Sequence, residues 1–444
     1  MSAPVLTAPA RNWNALIEDV VAGRWRDPET GQPASVPFRT ILLAESLDGA
    51  AADLVGPLEL GRRLAVVADE NTAAVMGARV ARELGGADLI VLPADIETDE
   101  DTIALVQERT RHADALVAVG SGALCDSVKY ATFKDGRQYA CFGTAASMNG
   151  YAASTASVTL RSGLKTSLPA HAPRGIFLDL SVSAAAPAWL SAAGLGDSLC
   201  RPTAQVDWWL SHRLFGTMYS TTPYVLQGAD EAPMLAGAAG LAHGSVESVG
   251  VLHRVLTLCG LGVCFTRVSH HGSMGEHQIS HWIDMFAGDR HPGSVHGTQV
   301  GVASLTMARL QAQILAMETP PVVRPTVVDE AGMIARYGAT LAAPMIADCH
   351  RKALDAEGAA AFNARLAEAW PVLRQELLAH AMPVATMQAA LAAAGGPTTA
   401  AEMGLDPALY RRAILHAHEV RNRYSFLDLA RDAGLLDAFA AGEG

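Results

Sequence analysis

Three histidines in one short span, His277, His281 and His296, are the densest concentration of chemistry in the chain. His277 and His281 stand four residues apart, so a helix over 276–282 presents both imidazoles on one face. His296, directly before Gly297, can return to them from the next element after a loop over 287–294. Such a set is half of a metal site. In a chain with 15 histidines a pair at this spacing is more often an ordinary polar helix face than a ligand set. The HExxH zinc-protease pattern is excluded, because Gln278 stands where the glutamate base belongs. A third, acidic ligand has to come from elsewhere.

A second chemical signal is Gly120-Ser121-Gly122, where a predicted strand over 115–119 hands over to a helix over 123–133. Glycines at such a turn let backbone N–H groups approach a phosphate, and a helix N-terminus favours its charge. The full dinucleotide fingerprint is absent, since Cys125 stands at the third glycine of GxGxxG. A tight strand-to-helix turn without a ligand fits these residues as well. Asp69, after the predicted strand 64–68, can bind ribose hydroxyls or open the turn Asp69-Glu70-Asn71-Thr72, and the turn is the preferred reading.

These groups need elements to hold them. From Phe38 the chain alternates apolar β-type runs with helical patterns, as an open α/β sheet does. Predicted strands cover 39–44, 64–68, 88–92, 115–119, 139–142 and 175–180, with helices near 72–84, 102–111 and 123–133. Thr98-Asp99-Glu100-Asp101 reads as a capping box opening the second helix. After Ser183 helical periodicity takes over to the C-terminus. The expected division is an α/β dinucleotide-binding domain over 1–185 and an all-α metal and substrate domain over 186–444; two domains suit a chain of 444 residues.

A formal charge of −12, from 33 basic and 45 acidic residues, argues against general affinity for nucleic acid or anionic lipid. Any anionic substrate must be met locally. Residues 1–14 show no signal-peptide pattern, and apolar stretches such as 184–196 are short and interrupted by Pro187, so no membrane span is expected. The six cysteines lack CxxC pairs and read as reduced, mostly buried thiols of a cytoplasmic protein.

Two longer runs add specificity. Gly120-Ser121-Gly122-Ala123-Leu124-Cys125-Asp126-Ser127-Val128-Lys129-Tyr130 and Thr144-Ala145-Ala146-Ser147-Met148-Asn149-Gly150-Tyr151 resemble the GGGxxxDxxK and TxxSxDG segments of the sn-glycerol-1-phosphate dehydrogenases. These share a superfamily with iron-type alcohol dehydrogenases, glycerol dehydrogenase and dehydroquinate synthase. Further similar segments follow in order at 193–197, 207–212, 276–281, 296–302 and 421–430.

The resemblance implies a Rossmann-like domain followed by an all-α metal-binding domain, NAD or NADP, and one divalent ion (zinc, nickel or iron) on Asp197, His277 and His296. By itself Asp197 reads as a helix N-cap before Ser198; the resemblance makes it a ligand on the loop 194–196 joining the two halves. It also implies cofactor contacts from Gly120, Ser121, Gly122, Ala123, Leu124, Cys125 and Asp126, and from Thr144, Ser147 and Ala153 across the dinucleotide. Asp69 remains a further candidate. His281, Asn149 and Asp197 become the catalytic group, with His281 as substrate contact and proton relay. The implied activity is reduction of dihydroxyacetone phosphate or a related phosphorylated small molecule by a homo-oligomer, dimer or larger.

Departures from the family pattern cluster in the pocket. Asn149 replaces an aspartate, Ala153 a serine and Gly143 a proline. Ser269-His270-His271 stands where bacterial relatives tend to read Ser-Arg-Pro, which removes a fixed positive charge and adds groups that ordinarily titrate near neutrality. Either these are changes at supporting positions without functional meaning, or the scaffold is retained and the substrate has changed, to another phosphorylated polyol or a sugar-derived ketone. Two other function classes stay open: a dehydroquinate synthase-like lyase that reduces and reoxidises its nicotinamide within one turnover, and a non-catalytic relative.

Overall fold

All six predicted strands form, with ends that agree to within one residue, in one parallel sheet. The computed structural model describes residues 12–443. The strands are β1 (Thr40–Ala44), β2 (Leu64–Asp69), β3 (Asp88–Leu92), β4 (Ala115–Gly120), β5 (Gln138–Gly143) and, after a hairpin, β8 (Gly175–Asp179). Their order is β1-β8-β5-β4-β2-β3, every neighbour parallel. β4 is buried along its whole length, as expected for a strand covered on both faces. The chain leaves β2 for β3 on one side and comes back to lay β4 on the other. The crevice beyond the ends of β2 and β4 is therefore the switch point at which open α/β sheets bind ligands. Ala68 is opposite Val119 in that register, which brings Asp69 beside Gly120.

The hairpin is an element the sequence reading missed: β6 (Thr155–Thr159) and β7 (Lys165–Pro169) pair antiparallel apart from the main sheet. It is tied down by Lys129, whose fully buried ammonium meets Asp126 at 2.7 Å, Gly150 O at 2.7 Å and Thr155 O at 3.1 Å. The predicted capping box at Thr98 is corrected by one residue. Asp99 is the N-cap of the Glu100–Arg109 helix, its carboxylate accepting from Thr102 N.

Beyond β8 the described chain is helical. The division expected after residue 185 falls between the helices Leu180–Ala185 and Ala188–Phe215. The latter runs 28 residues and absorbs Gly194, Gly196 and Asp197, so the loop expected at 194–196 does not exist. The glycines are there for close approach. A Cβ at Gly194 would strike the Ala146 carbonyl, and one at Gly196 the Gly297 carbonyl. The long helix is thereby pressed against both the loop after β5 and the His296–Leu315 helix. The Val246–Thr266 helix is long and apolar enough to cross a bilayer, but 83% of its most apolar window is buried within the protein, as in a core helix.

Candidate metal and cofactor site

The Gly275–Phe286 helix presents His277 and His281 on one face as their spacing predicts, and His296 opens the helix that follows. The ring centroids of His277 and His296 lie 5.0 Å apart. Asp197 reaches them from the long helix, with Oδ1 3.6 Å from His277 Nε2. One ligand atom from each of Asp197, His277 and His296 lies within 4.8 Å of the other two. Asp197 is buried, and its Oδ1 has no hydrogen-bond donor among the described residues. An acceptor left bare in the interior is costly unless something else satisfies it, and a cation held by these three residues would do so.

The surroundings fix which ring nitrogens face the gap. His277 Nδ1 donates to Glu276 Oε1 at 3.0 Å, leaving Nε2 toward Asp197. Glu276 is itself held by Met274 N at 2.6 Å. Ser280 Oγ donates to Gln299 Oε1 at 2.8 Å, so at 3.2 Å it accepts from His296 Nδ1, again freeing Nε2. Carboxylate and hydroxyl partners of this kind set tautomer and ring orientation in metal sites. Burial, followed by the neighbouring His277, lowers His296 to about 3, so the imidazole is neutral and able to ligate. Burial raises the Asp197 carboxyl, opposed by His277. Carboxylate plus two neutral imidazoles fits a divalent ion with open positions. Cys200 also lies near Glu276 and His277, but its thiol donates to Gly272 O at 3.3 Å and Glu276 is already engaged.

His281 sits 5.6 Å from His296 between ring centroids, against Arg421, whose Nη2 is 3.2 Å from His281 Nε2 and 3.4 Å from Nδ1. Burial and then Arg421 lower it well below the usual histidine range. Asn149 closes the site from the other half. Its backbone N donates to Asp197 Oδ2 at 3.4 Å, while its side-chain amide approaches Cys259 Sγ at 3.6 Å.

At the switch point, β4 ends in Gly120 and the Gly122–Asp135 helix begins with Ser121 as N-cap and no side-chain capping bond. Its first amides are free for an anion. Thr144 N donates to Gly120 O at 3.2 Å, which aligns the Thr144–Ser147 loop with this turn. Leu124 and Cys125 are buried in the core, and Leu124 packs over Gly120, so only their backbone can face a cofactor. Asp126 points away: Oδ1 pairs with Lys129 and Oδ2 accepts from Ser157 N at 3.1 Å. Asp69 caps the Glu70–Thr72 turn, its Oδ1 accepting from Thr72 N at 2.7 Å, so the turn reading holds. Ala153 is buried beside the Gly150–Ala152 turn.

His270 and His271 do not add titrating charge as the sequence suggests. Burial, then Arg423, takes His270 to about 2. Burial takes His271 to about 4 against a hydrogen bond to Cys259 O. Positive charge instead arrives from Arg421 and Arg423, to which the sequence reading gave no role. Their only signal was their place in the family-like run 421–430.

Residues 43–187 match the family of iron-containing alcohol dehydrogenases. The chain is 28% identical to the glycerol-1-phosphate dehydrogenase (NAD(P)+) of Bacillus velezensis over 84% of its own length and 86% of that protein. It is 32% identical to the enzyme of the same name from Methanoculleus marisnigri over 56% of itself and 68% of that protein. In fold it is similar to a probable glycerol dehydrogenase from Sinorhizobium meliloti, with TM-score 0.60 and 19% identity over 91% of this chain and 98% of that one. A maleylacetate reductase from a Rhizobium species gives TM-score 0.60 at 14% identity over 92% and 97%.

Proposed function

The chain belongs to the glycerol-1-phosphate dehydrogenase family of the iron-containing alcohol dehydrogenases, and from that premise we propose that it reduces dihydroxyacetone phosphate, or a related ketone phosphate, to the alcohol with NADH or NADPH. The observation that carries the reading is the convergence of Asp197, His277 and His296 around a buried carboxylate oxygen with no donor among the described residues. Residues 1–185 would serve as the cofactor domain and 186–444 as the metal and substrate domain.

A divalent ion on these three residues, zinc, nickel or iron, supplies Lewis acidity to the carbonyl oxygen. The donor set suits all three metals. Everything else falls to the chain. Glu276 and Ser280 hold the Nδ1 protons of His277 and His296, so that both rings present Nε2. The free amides at the start of the Gly122–Asp135 helix would take the coenzyme pyrophosphate, with Thr144 and Ser147 across from them. His281, a neutral imidazole, would relay a proton: as its ring N–H is passed to the product oxygen, its other nitrogen, the one that accepts from Arg421 Nη2, takes up a proton delivered from solvent water, so the ring ends neutral.

The test reloads stripped protein with zinc, nickel or iron and supplies dihydroxyacetone phosphate with each coenzyme. Expected is one coenzyme oxidised per alcohol formed; no net oxidation with any of the metals overturns the reading. Net oxidation also excludes a lyase that recycles its nicotinamide. We further expect a cytoplasmic homo-oligomer, dimer or larger. An open apolar groove between residues 235–239 and 385–393 supports the assembly, which light scattering reads.

A further inference from the structure

A cleft of about 590 Å³ opens beside the histidine cluster, and its charge is one-sided. Arg421, Arg423 and Lys165 line it together with the neutral Thr166, Ser167 and Asn422. Its one lining carboxylate, Asp348, is engaged by Arg351. Lys165 is paired with Asp284 at 2.6 Å. The two arginines have no carboxylate partner among the described residues. Arg421 reaches only the His281 ring, and Arg423 donates to the Ser273 carbonyl and, at 3.0 Å, to Ser269 Oγ.

Guanidinium groups held half-buried without a counter-ion are unfavourable, and two side by side more so. Burial lowers Arg421 to about 10, and burial with Arg421 as neighbour lowers Arg423 to about 9, so both stay charged at neutral pH. Paired planar donors at the base of a cleft match the oxygens of a phosphate.

Building on the ketone-phosphate reading above, we propose that Arg421 and Arg423, with Lys165 at the rim, seat the phosphate monoester of the substrate. Arg421 spans from that anion to His281, so the reacting carbonyl lies a short carbon chain away on the metal side. The coenzyme is not the source of the anion: its turn at Gly120–Gly122 belongs to the sheet, and none of those residues lines this cleft.

Calorimetry on the full-length, metal-free chain with inorganic phosphate, with and without saturating NADH, tests the seat. Phosphate should bind, and NADH should leave it bound. Arg421→Gln and Arg423→Gln should each weaken it about 10- to 100-fold, the usual worth of a charge-assisted hydrogen bond. Arg421→Lys should recover part of the loss, and circular dichroism should report folded variants. Arg421→Gln is the cleaner change, because its guanidinium supports no backbone group.

In metal-loaded enzyme, the kcat/KM ratio of dihydroxyacetone phosphate over dihydroxyacetone should fall by a similar factor in Arg421→Gln, mainly through KM. No phosphate binding, binding that both glutamine variants retain, or displacement by NADH would overturn the seat. Equal use of the two ketones by the wild type would overturn it while leaving the dehydrogenase reading intact. Phosphate binding of the expected pattern without reduction of any ketone would remove that reading instead.

Discussion

The Glu276 carboxylate, wholly buried and 3.0 Å from His277 Nδ1, determines whether His277 presents its other nitrogen to a metal. Replacing His277 with Ala should abolish metal retention and turnover with the fold largely kept. Glu276→Gln should leave His277 present but less well oriented and less basic, weakening the ion about 10- to 100-fold. Competition with a chelator reads both, and a His277→Ala protein that keeps its full metal content would refute the ligand set. Asn149 is the residue at which substrate preference is most open to change. It offers an amide where the family pattern has a carboxylate, and that amide faces only a sulfur at 3.6 Å. An ionised acceptor adds about 1.5 to 3 kcal/mol to a hydrogen bond, so Asn149→Asp should raise kcat/KM on dihydroxyacetone phosphate by roughly one to two decades. The comparison belongs on metal-loaded protein, because the new charge stands close to Asp197. No increase, with the wild type already efficient, would mean that Asn149 does not set the substrate.

Secondary elements were legible wherever burial wrote a simple pattern. The apolar runs of β2 and β4 and the helical spacing of His277 and His281 are readable because both faces or one face of those elements pack inward. The hairpin was not, since Thr155–Thr159 and Lys165–Pro169 are mostly small or polar: the first strand buries only Ala156 and Val158, set between threonines and a serine, and its start is held by the Lys129 ammonium at Thr155 O. Asp197, expected as a ligand, was placed on the wrong element. Gly194-Leu195-Gly196 looks like a turn, and only the neighbouring backbones reveal that the glycines serve contact within a helix. That contact makes a prediction. Gly194→Ala puts a methyl group into the Ala146 carbonyl, which belongs to the loop carrying Ser147 and Asn149, and should force the long helix away from the sheet half. A loss of about 1 to 3 kcal/mol is expected, together with weaker metal retention as Asp197 moves off His277. Denaturation and chelator competition would show it; unchanged stability and affinity would mean that the contact does not position the site.

Across the whole molecule, polar groups are buried to an extent that ties stability to pH. Eight histidines, His171, His253, His270, His271, His281, His296, His380 and His418, have folded pKa values below their ordinary one, with burial the largest cause of each. Above about pH 7.5, a unit beyond the ordinary histidine value, folded and unfolded forms of these groups are both neutral and contribute no pH dependence. Below it the unfolded chain takes up protons that the folded chain refuses, so stability falls with pH until the folded values are reached, at about 1.4 kcal/mol per pH unit for each group fully in that window. Three aspartates act in the opposite sense. Burial raises Asp197 and Asp432, and burial with repulsion from Glu276 takes Asp207 to about 8, so each keeps a proton in the fold that the unfolded chain loses above about pH 4. The imidazoles outnumber them, and the net slope between pH 6.5 and 4.5 should be a loss on acidification of at least about 1.4 kcal/mol per unit. His253 isolates one contribution. It lies on the buried Val246–Thr266 helix, bonded to Ser183 Oγ at 2.9 Å, and burial takes it to about 3. Urea unfolding of the metal-free chain at pH 6.5, 5.5 and 4.5 should show the loss, and His253→Asn should make it shallower by about one group's share. A chain equally stable or more stable at pH 4.5 would mean that these imidazoles carry their protons inside the fold.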